Sequence, residues 1–99
     1  MATFISTVKF TEQGMQNIKD TCKRANAFKA MAKKMGVKVQ DVFWTLGPFD
    51  ALLVFDAPDE ETATAAMLRL CSLGSVHTQT ARAYRATEME GILAKMNPS

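Results

Sequence analysis

The stretch 42–58, VFWTLGPFDALLVFDAP, most constrains what this chain can fold into. It predicts two β-strands on either side of a four-residue corner at residues 47–50, where Pro48 presets the backbone for a turn. Apolar side chains occupy both odd and even positions of the two strands, so both faces of the hairpin are apolar. A sheet that is apolar on both faces needs two covering layers.

The pairing of these strands follows from the position of the corner. The expected pairs are Leu46 with Ala51, Trp44 with Leu53, Val42 with Phe55, Thr45 with Leu52, and Phe43 with Val54. The apolar positions of the first strand switch phase near Gln40 and Asp41, which predicts a β-bulge and an edge position for that strand.

Helical periodicity appears in three other segments. The first helix is predicted from the Thr11 cap to Met35, with a kink or restart at residues 20–21. Its expected inner stripe consists of Met15, Ile18, Cys22, Ala25, Phe28, Ala32 and Met35. A second helix is predicted to begin at an Asp59 cap and to end at Gly74, and a short terminal helix to begin with a capping box at residues 87–90.

Strands predicted at residues 3–10 and 76–84 complete the order strand, helix, strand, strand, helix, strand, helix. This order predicts an α+β fold with the ferredoxin-like βαββαβ plan: a four-stranded antiparallel sheet, two helices on one face, and an extra C-terminal helix. The strands around Ile5 and Val54 are expected to be central. The uncovered face would carry apolar side chains, either Trp44 or Phe43 with Phe55 or Val54, and we expect a two-fold dimer to bury it.

Composition limits the class of protein further. Ninety-nine residues, with 47% hydrophobic and 22% charged, predict one globular domain over residues 1–99. The net charge of +2 and the absence of a recognised module argue against nucleic acid, so the basic first helix is interpreted as a solvated face. The apolar runs are too short for a membrane span, no signal peptide is evident, and Cys22 and Cys71 have no metal-ligand spacing. We expect a cytoplasmic protein without metal or cofactor.

Five residues are candidates for chemistry or ligand binding. His77, the sole histidine, and Asp50 are candidate catalytic groups, although a surface histidine and a turn aspartate bound to backbone are the simpler interpretations. Trp44 could stack on a planar ligand or belong to a core or an interface. Arg82 and Tyr84 share one strand face and could bind a carboxylate or phosphate, or else form an interface salt bridge or a solvated edge.

The segment 44–50, WTLGPFD, resembles the motif of the GYD domain family of small, mostly bacterial proteins. Further matching positions are Phe10-Thr11, Gly14, Ile18-Lys19-Asp20, Lys23-Arg24-Ala25, Ala57-Pro58-Asp59, Leu73-Gly74 and Thr78 to Ala83. The resemblance covers about residues 3 to 86 and implies a ferredoxin-like fold of the dimeric α+β barrel kind, without implying a reaction. Gly47 and Asp50 match the motif, but Phe49 stands where the family has tyrosine, so no phenol hydroxyl is present there.

Two functions are compatible with these observations. The first is a homo-oligomeric module that binds a small molecule or supports assembly, without catalysis. The alternative is a cofactor-independent enzyme, monooxygenase- or isomerase-like, acting on a small organic substrate. The enzyme requires at least two of the candidate side chains in one pocket, whereas scattered and solvated side chains favour the module.

Overall fold

The computed structural model describes residues 1–97, which form one antiparallel sheet and its helices. In chain order the elements are β1 (Ala2–Phe10), α1 (Glu12–Gln16), a 3-10 turn (Ile18–Asp20), α2 (Thr21–Lys34), β2 (Lys38–Trp44), β3 (Ala51–Ala57), α3 (Glu60–Ser72), β4 (Val76–Ala83) and α4 (Ala86–Ala94). The predicted α+β fold, with βαββαβ order and an extra C-terminal helix, is confirmed.

The strands lie in the order β2-β3-β1-β4, so β1 and β3 are the central pair, as predicted. Burial alternates strictly along β3, because its odd residues face the helices. Phe4 of β1 lies opposite Phe55 of β3, and the two rings stack with their centroids 5.4 Å apart. Phe55 is completely buried, so its truncation to alanine would cost about 3–5 kcal/mol.

The helices α2 and α3 cover this face of the sheet with mostly small side chains. Phe28 and Ala32 of α2 and Ala63, Ala66 and Met67 of α3 are buried in the same core cluster as β1 and β3. Asp59 caps α3 as predicted, since its carboxylate accepts a hydrogen bond from the Thr62 backbone N–H at 2.7 Å. The hydrogen bonds from Thr62 hold the pKa of Asp59 below its usual value.

The first predicted helix is broken where the kink was expected. The chain passes through the 3-10 turn before α2 begins at Thr21, so residues before and after the turn no longer share one helical phase. The single stripe predicted across both halves is therefore wrong in part: Met15 and Cys22 are exposed, whereas Met31 packs against the core.

The pairing of β2 with β3 differs from the predicted register by two residues. Trp44, not Leu46, lies opposite Ala51, because the connection uses all six residues 45–50 rather than a four-residue corner. The Thr45 N–H donates to the Asp50 carbonyl at 2.9 Å, and Leu46 is fully exposed outside the sheet. A shift of two residues keeps every side chain on its face, and the bulge predicted near Gln40 is confirmed between Val39 and Asp41.

The N-cap of the terminal helix is Arg85, two residues before the predicted N-cap Thr87. The Arg85 N–H donates to the Glu88 carboxylate at 3.2 Å, so Glu88 caps the helix in place of the Thr87–Glu90 pair. No residue of α4 is buried. The molecule measures 57 × 31 × 18 Å with a radius of gyration of 15.2 Å, above the value of about 13 Å for a compact domain of this size. Thus α4 extends away from the packed body.

The sheet face opposite α2 and α3 has no helix of residues 1–97 packed on it. We call it the open sheet face, and the apolar side chains on it are Ile5, Phe43, Leu52, Val54 and Ala81. The sequence left open whether Trp44 or Phe43, and whether Phe55 or Val54, would lie on the uncovered face. Phe43 and Val54 lie on it, and Trp44 and Phe55 lie on the helix side. Ile5 is 38% and Phe43 53% exposed.

Candidate functional site

A cavity of about 300 Å³ lies between the helix face of the sheet and the helices α2 and α3. This volume is at the lower end of the range for small-molecule sites. The lining is mostly apolar and comes from Val8, Phe10, Ala25, Ala27, Phe28, Met31, Val42, Trp44, Ala51, Leu53, Leu70, Leu73 and Val76. We call this space the apolar cavity.

The local sequence explains why this space is not filled. The lining includes small side chains, with Ala25 and Ala27 on α2 and Ala51 at the start of β3. Farther along α2, Phe28 and the completely buried Ala32 pack in the core. Since alanine occupies little volume, the walls stay apart at the cavity while the helices remain anchored by the core.

Four polar residues complete the lining: Thr21, Arg24, Arg69 and Ser75. The Arg24 guanidinium donates to the Asn17 carbonyl at 2.7 Å and to the Gly14 carbonyl at 3.4 Å. These acceptors are neutral, so they position the arginine at the end of α1 without cancelling its charge. The cavity therefore has an apolar interior with cationic groups among its walls.

Trp44 is the only predicted ligand-binding residue that lines the apolar cavity. Its indole N–H donates to the Thr21 hydroxyl at 3.0 Å, which connects the end of β2 to the first residue of α2. The ring is 45% exposed, so part of it borders open space. Its polar atom is satisfied and its apolar surface is available, which suits contact with an apolar ligand.

Arg82 and Tyr84 lie elsewhere, and the structure does not bring them together with Trp44. Arg82 lines a second, more open groove between α3 and β4, of about 580 Å³. Its guanidinium donates to the Thr3 carbonyl at 3.1 Å, to the Ala83 carbonyl, and to the Glu88 carboxylate at 3.1 Å. It also lies over the Tyr84 ring, 4.5 Å from the centroid.

These contacts connect Arg82 to the base of α4. The Glu88 carboxylate accepts one hydrogen bond from the Arg85 backbone N–H and one from the Arg82 guanidinium. These two hydrogen bonds hold the pKa of Glu88 below its usual value. Through these hydrogen bonds within the chain, Arg82 positions the C-terminal helix in this structure. Tyr84 contributes its ring face to the same arrangement and is 53% exposed.

The two candidate catalytic residues, His77 and Asp50, line neither the apolar cavity nor the groove. His77 is exposed on β4, where it pairs with Lys9 of β1. The Asp50 carboxylate accepts a hydrogen bond from the Phe10 N–H at 2.9 Å, and the Asp50 N–H donates to the Val8 carbonyl at 2.8 Å. Asp50 thereby binds the 45–50 loop to the end of β1.

The same loop contains the family-motif residues Gly47 and Phe49. Gly47 has φ of +132°, a backbone conformation that favours glycine. The Thr45 hydroxyl donates to the Phe49 carbonyl at 2.6 Å, and Lys9 reaches the Pro48 carbonyl at 3.3 Å. These contacts fix the conformation of the 45–50 loop and hold it against β1. The Phe49 side chain is partly buried.

Sequence reasoning missed the two cavity arginines. Arg24 was interpreted as part of a solvated basic face, although it lies four residues before Phe28 and seven before Met31, on one side of α2. That spacing was the available signal. Arg69 lies three residues after the buried Ala66 and four before Leu73, so a comparable spacing was available for it on α3.

Residues 1–97 hold neither a metal site nor a membrane-crossing helix. Within that range no group of three histidine, cysteine, aspartate or glutamate side chains is arranged to hold a metal ion. Nor is any helix there both long enough and apolar enough to cross a membrane. Cys22 and Cys71 are both free thiols, and Cys71 contacts the Thr78 hydroxyl at 3.2 Å.

An α+β protein with βαββαβ order and two helices over one sheet face has the ferredoxin-like fold. The crystal structure of TTHA0845 from Thermus thermophilus has the same fold, with a TM-score of 0.57 and 22% identity over 87% of this chain and 96% of that chain. The chain belongs to the GYD domain family, whose sequence profile matches residues 4–93. A relative from T. thermophilus, 32% identical over 90 residues, is called "glutamine synthetase and cystathionine beta-lyase binding protein". That match covers 90% of this chain and 95% of the relative.

Proposed function

We propose that this chain is a homodimeric, cytoplasmic binding module that holds a small molecule and associates with other proteins, without catalysis. The observation that carries the proposal is apolar surface on both sides of one sheet. The apolar cavity lies on the helix side, and the open sheet face lies on the other. Binding is the role for which such surfaces are suited.

Support for the dimer comes from the open sheet face. Ile5 on the central strand β1 and Phe43 on the edge strand β2 are large exposed apolar side chains, next to the partly buried Leu52 and Val54 of β3. Contiguous apolar surface of this kind marks a site of association, and a second copy presents the same face to pack against. Two sheets packed face to face would exclude water from these side chains, as in other two-layer β arrangements.

Support for protein partners comes from the relative whose name states that it binds glutamine synthetase and cystathionine β-lyase. The two chains match over nearly their whole lengths, so the similarity extends over the domain and is not confined to one segment. We propose that metabolic enzymes of these two kinds are partners of this chain as well.

The separation of the candidate catalytic residues favours the binding module over the enzymatic alternative. An acid–base mechanism needs a titratable group within hydrogen-bond reach of a bound substrate. His77 lies on β4 facing away from the helices, and the Asp50 carboxylate is bound to the Phe10 N–H. Neither borders the cavity that a substrate would occupy.

Sedimentation of the Phe43→Glu variant tests the proposal. The wild-type chain, of 10.9 kDa, is expected to sediment as a dimer at micromolar concentration, and Phe43→Glu as a single chain, because the charge would be buried between the sheets. Glutamine synthetase or cystathionine β-lyase from the same organism, added to the wild type, should carry the chain into a faster-sedimenting species.

Met15→Glu is the matched control, because it also replaces an exposed apolar residue, 52% exposed, but lies on α1 away from the open sheet face. It should leave the dimer unchanged. A wild-type chain that remains single and folded, with no association with either enzyme, would refute the proposed dimer and the proposed partners.

A further inference from the structure

The apolar cavity combines an uncharged interior with two guanidinium groups, and this combination restricts what it can bind. Arg24 of α2 and Arg69 of α3 both line it, and no aspartate or glutamate of the described chain does. In residues 1–97 neither arginine forms an ion pair with a carboxylate, and the Arg69 side chain makes no hydrogen bond. The charge of the site is therefore uncompensated by the groups around it.

The remaining lining selects for an apolar molecule. Phe28, Met31, Val42 and Leu53 offer no hydrogen-bond partner, and the indole N–H of Trp44 is already bound to Thr21. The polar groups of a more polar ligand would find no hydrogen-bond partners inside the cavity, and each unpaired group would make the binding free energy less favourable. At about 30 Å³ for each water-sized group, the cavity accommodates roughly ten such groups.

We infer that the apolar cavity binds a small carboxylic acid with an aliphatic or aromatic body of about ten carbon atoms. The apolar body lies against the sheet, and the carboxylate is received by Arg69, with Arg24 adding positive charge. Arg69 is exposed and has no partner among the described residues, so it can turn toward an anion without breaking an existing bond. This inference rests on the proposed small-molecule binding and adds the class of ligand.

The chain contains one tryptophan, and it lines the cavity, so Trp44 fluorescence reports occupancy directly. The experiment titrates decanoate, decanol and decyltrimethylammonium into the wild-type protein at about pH 7.5, below the micellar concentrations, with calorimetry of the same samples. Decanoate should bind saturably and about tenfold more tightly than decanol, and the cationic probe least of all. Raising the salt concentration should weaken decanoate binding alone.

The Arg69→Gln variant tests the role of the guanidinium. It should weaken decanoate about three- to tenfold and leave decanol unchanged, as expected for a partly exposed ion pair. Arg85→Gln is the matched control: it removes the same charge, does not line the cavity, and should leave both affinities unchanged. Decyl phosphate serves as a further probe, and its binding more tightly than decanoate would overturn the carboxylate assignment.

Two other outcomes would contradict the inference in different ways. If decanoate and decanol bind with equal affinity, and Arg69→Gln changes neither affinity, the ligand is not an anion, although the cavity remains a small-molecule site. Failure of every probe to bind, by fluorescence and by calorimetry, would overturn the proposed small-molecule function together with the inference.

Discussion

Gly14 packs so closely against the Ser75 carbonyl that no residue with a Cβ atom fits at position 14. A Cβ atom at position 14 would lie 2.1 Å from the Ser75 oxygen, and that oxygen also accepts the Thr11 N–H at 3.0 Å. Gly14→Ala should therefore displace α1 from the loop before β4 and lower the free energy of unfolding by about 2–3 kcal/mol. Urea unfolding followed by circular dichroism measures the loss.

Gly91 gives the matched control for this substitution. It lies within α4, its φ is not in the left-handed region, and a Cβ there meets no atom within 4 Å. Gly91→Ala should leave the stability of the body unchanged or raise helicity slightly, since alanine is favoured by about 1 kcal/mol in a helix interior. Equal effects at positions 14 and 91 would contradict the packing argument.

Asp56 makes the stability of the sheet depend on pH. Partial burial acts to raise its pKa, but hydrogen bonds from Thr3 and Gln40, with the charges of Arg85 and Lys38, outweigh it, so the pKa of Asp56 lies below its usual value. A carboxylate whose pKa is lowered on folding stabilises the fold above its unfolded pKa and loses that contribution as pH falls through its folded pKa.

The Asp56→Asn variant should accordingly be less stable than the wild type at about pH 7, by about 1 kcal/mol, and the difference should shrink as the pH falls below about 4. Urea unfolding over a pH series between about 7 and about 3 measures it. Asp41→Asn replaces an exposed aspartate of β2 that makes no side-chain hydrogen bond within residues 1–97. A stability difference for Asp56→Asn that does not change with pH would refute the assignment.

At the scale of the elements, the local pattern predicts which segments form strands and helices, but not their phase. The Asp59 cap of α3 and the bulge near Gln40 depend on neighbouring residues, and both were predicted correctly. The phase of α2 depends on the 3-10 turn, and the register of β2 on a six-residue loop held by contacts to β1. Such long-range contacts leave little trace in the spacing of apolar residues.

The C-terminal helix is held at its base and exposed along its length. Met89, Ile92 and Leu93 are 42%, 37% and 48% exposed. These three side chains lie three and four residues apart, on one side of the helix, and exposed apolar surface of this kind marks a site of association. We propose that α4 packs on a second copy through this side and adds to the interface formed by the open sheet face.

Deleting residues 87–99 tests this proposal about α4. The body should keep its fold, because α4 contributes no buried residue, and the dimer should dissociate at least tenfold more readily. Analytical ultracentrifugation over a concentration series measures the dissociation constant, and circular dichroism confirms folding. An unchanged dissociation constant for the shortened chain would contradict a role for α4 in assembly.

For the whole molecule, the apolar faces of the sheet can be predicted from the sequence more fully than the residues of the apolar cavity. The apolar content of β2 and β3 already requires covering layers on both sides, which follows from composition and alternation alone. The apolar cavity depends on where small side chains of α2 and β3 face each other, so only Trp44 among its residues was singled out in advance. Arg82 lies over the Tyr84 ring, and its ionic partner is Glu88 of α4, a contact that the spacing of the strand residues does not indicate.

The hydrogen bond from the Phe10 N–H to the Asp50 carboxylate has a consequence for relatives of this chain. The motif residues Gly47, Phe49 and Asp50 belong to a hairpin connection that is fastened to a neighbouring strand, and none of the three lines the apolar cavity. Membership of the GYD family therefore indicates a shared fold and does not identify a shared ligand. A compound identified for one member is transferable to another when positions 24, 44 and 69 carry equivalent side chains, whatever the degree of agreement in the loop.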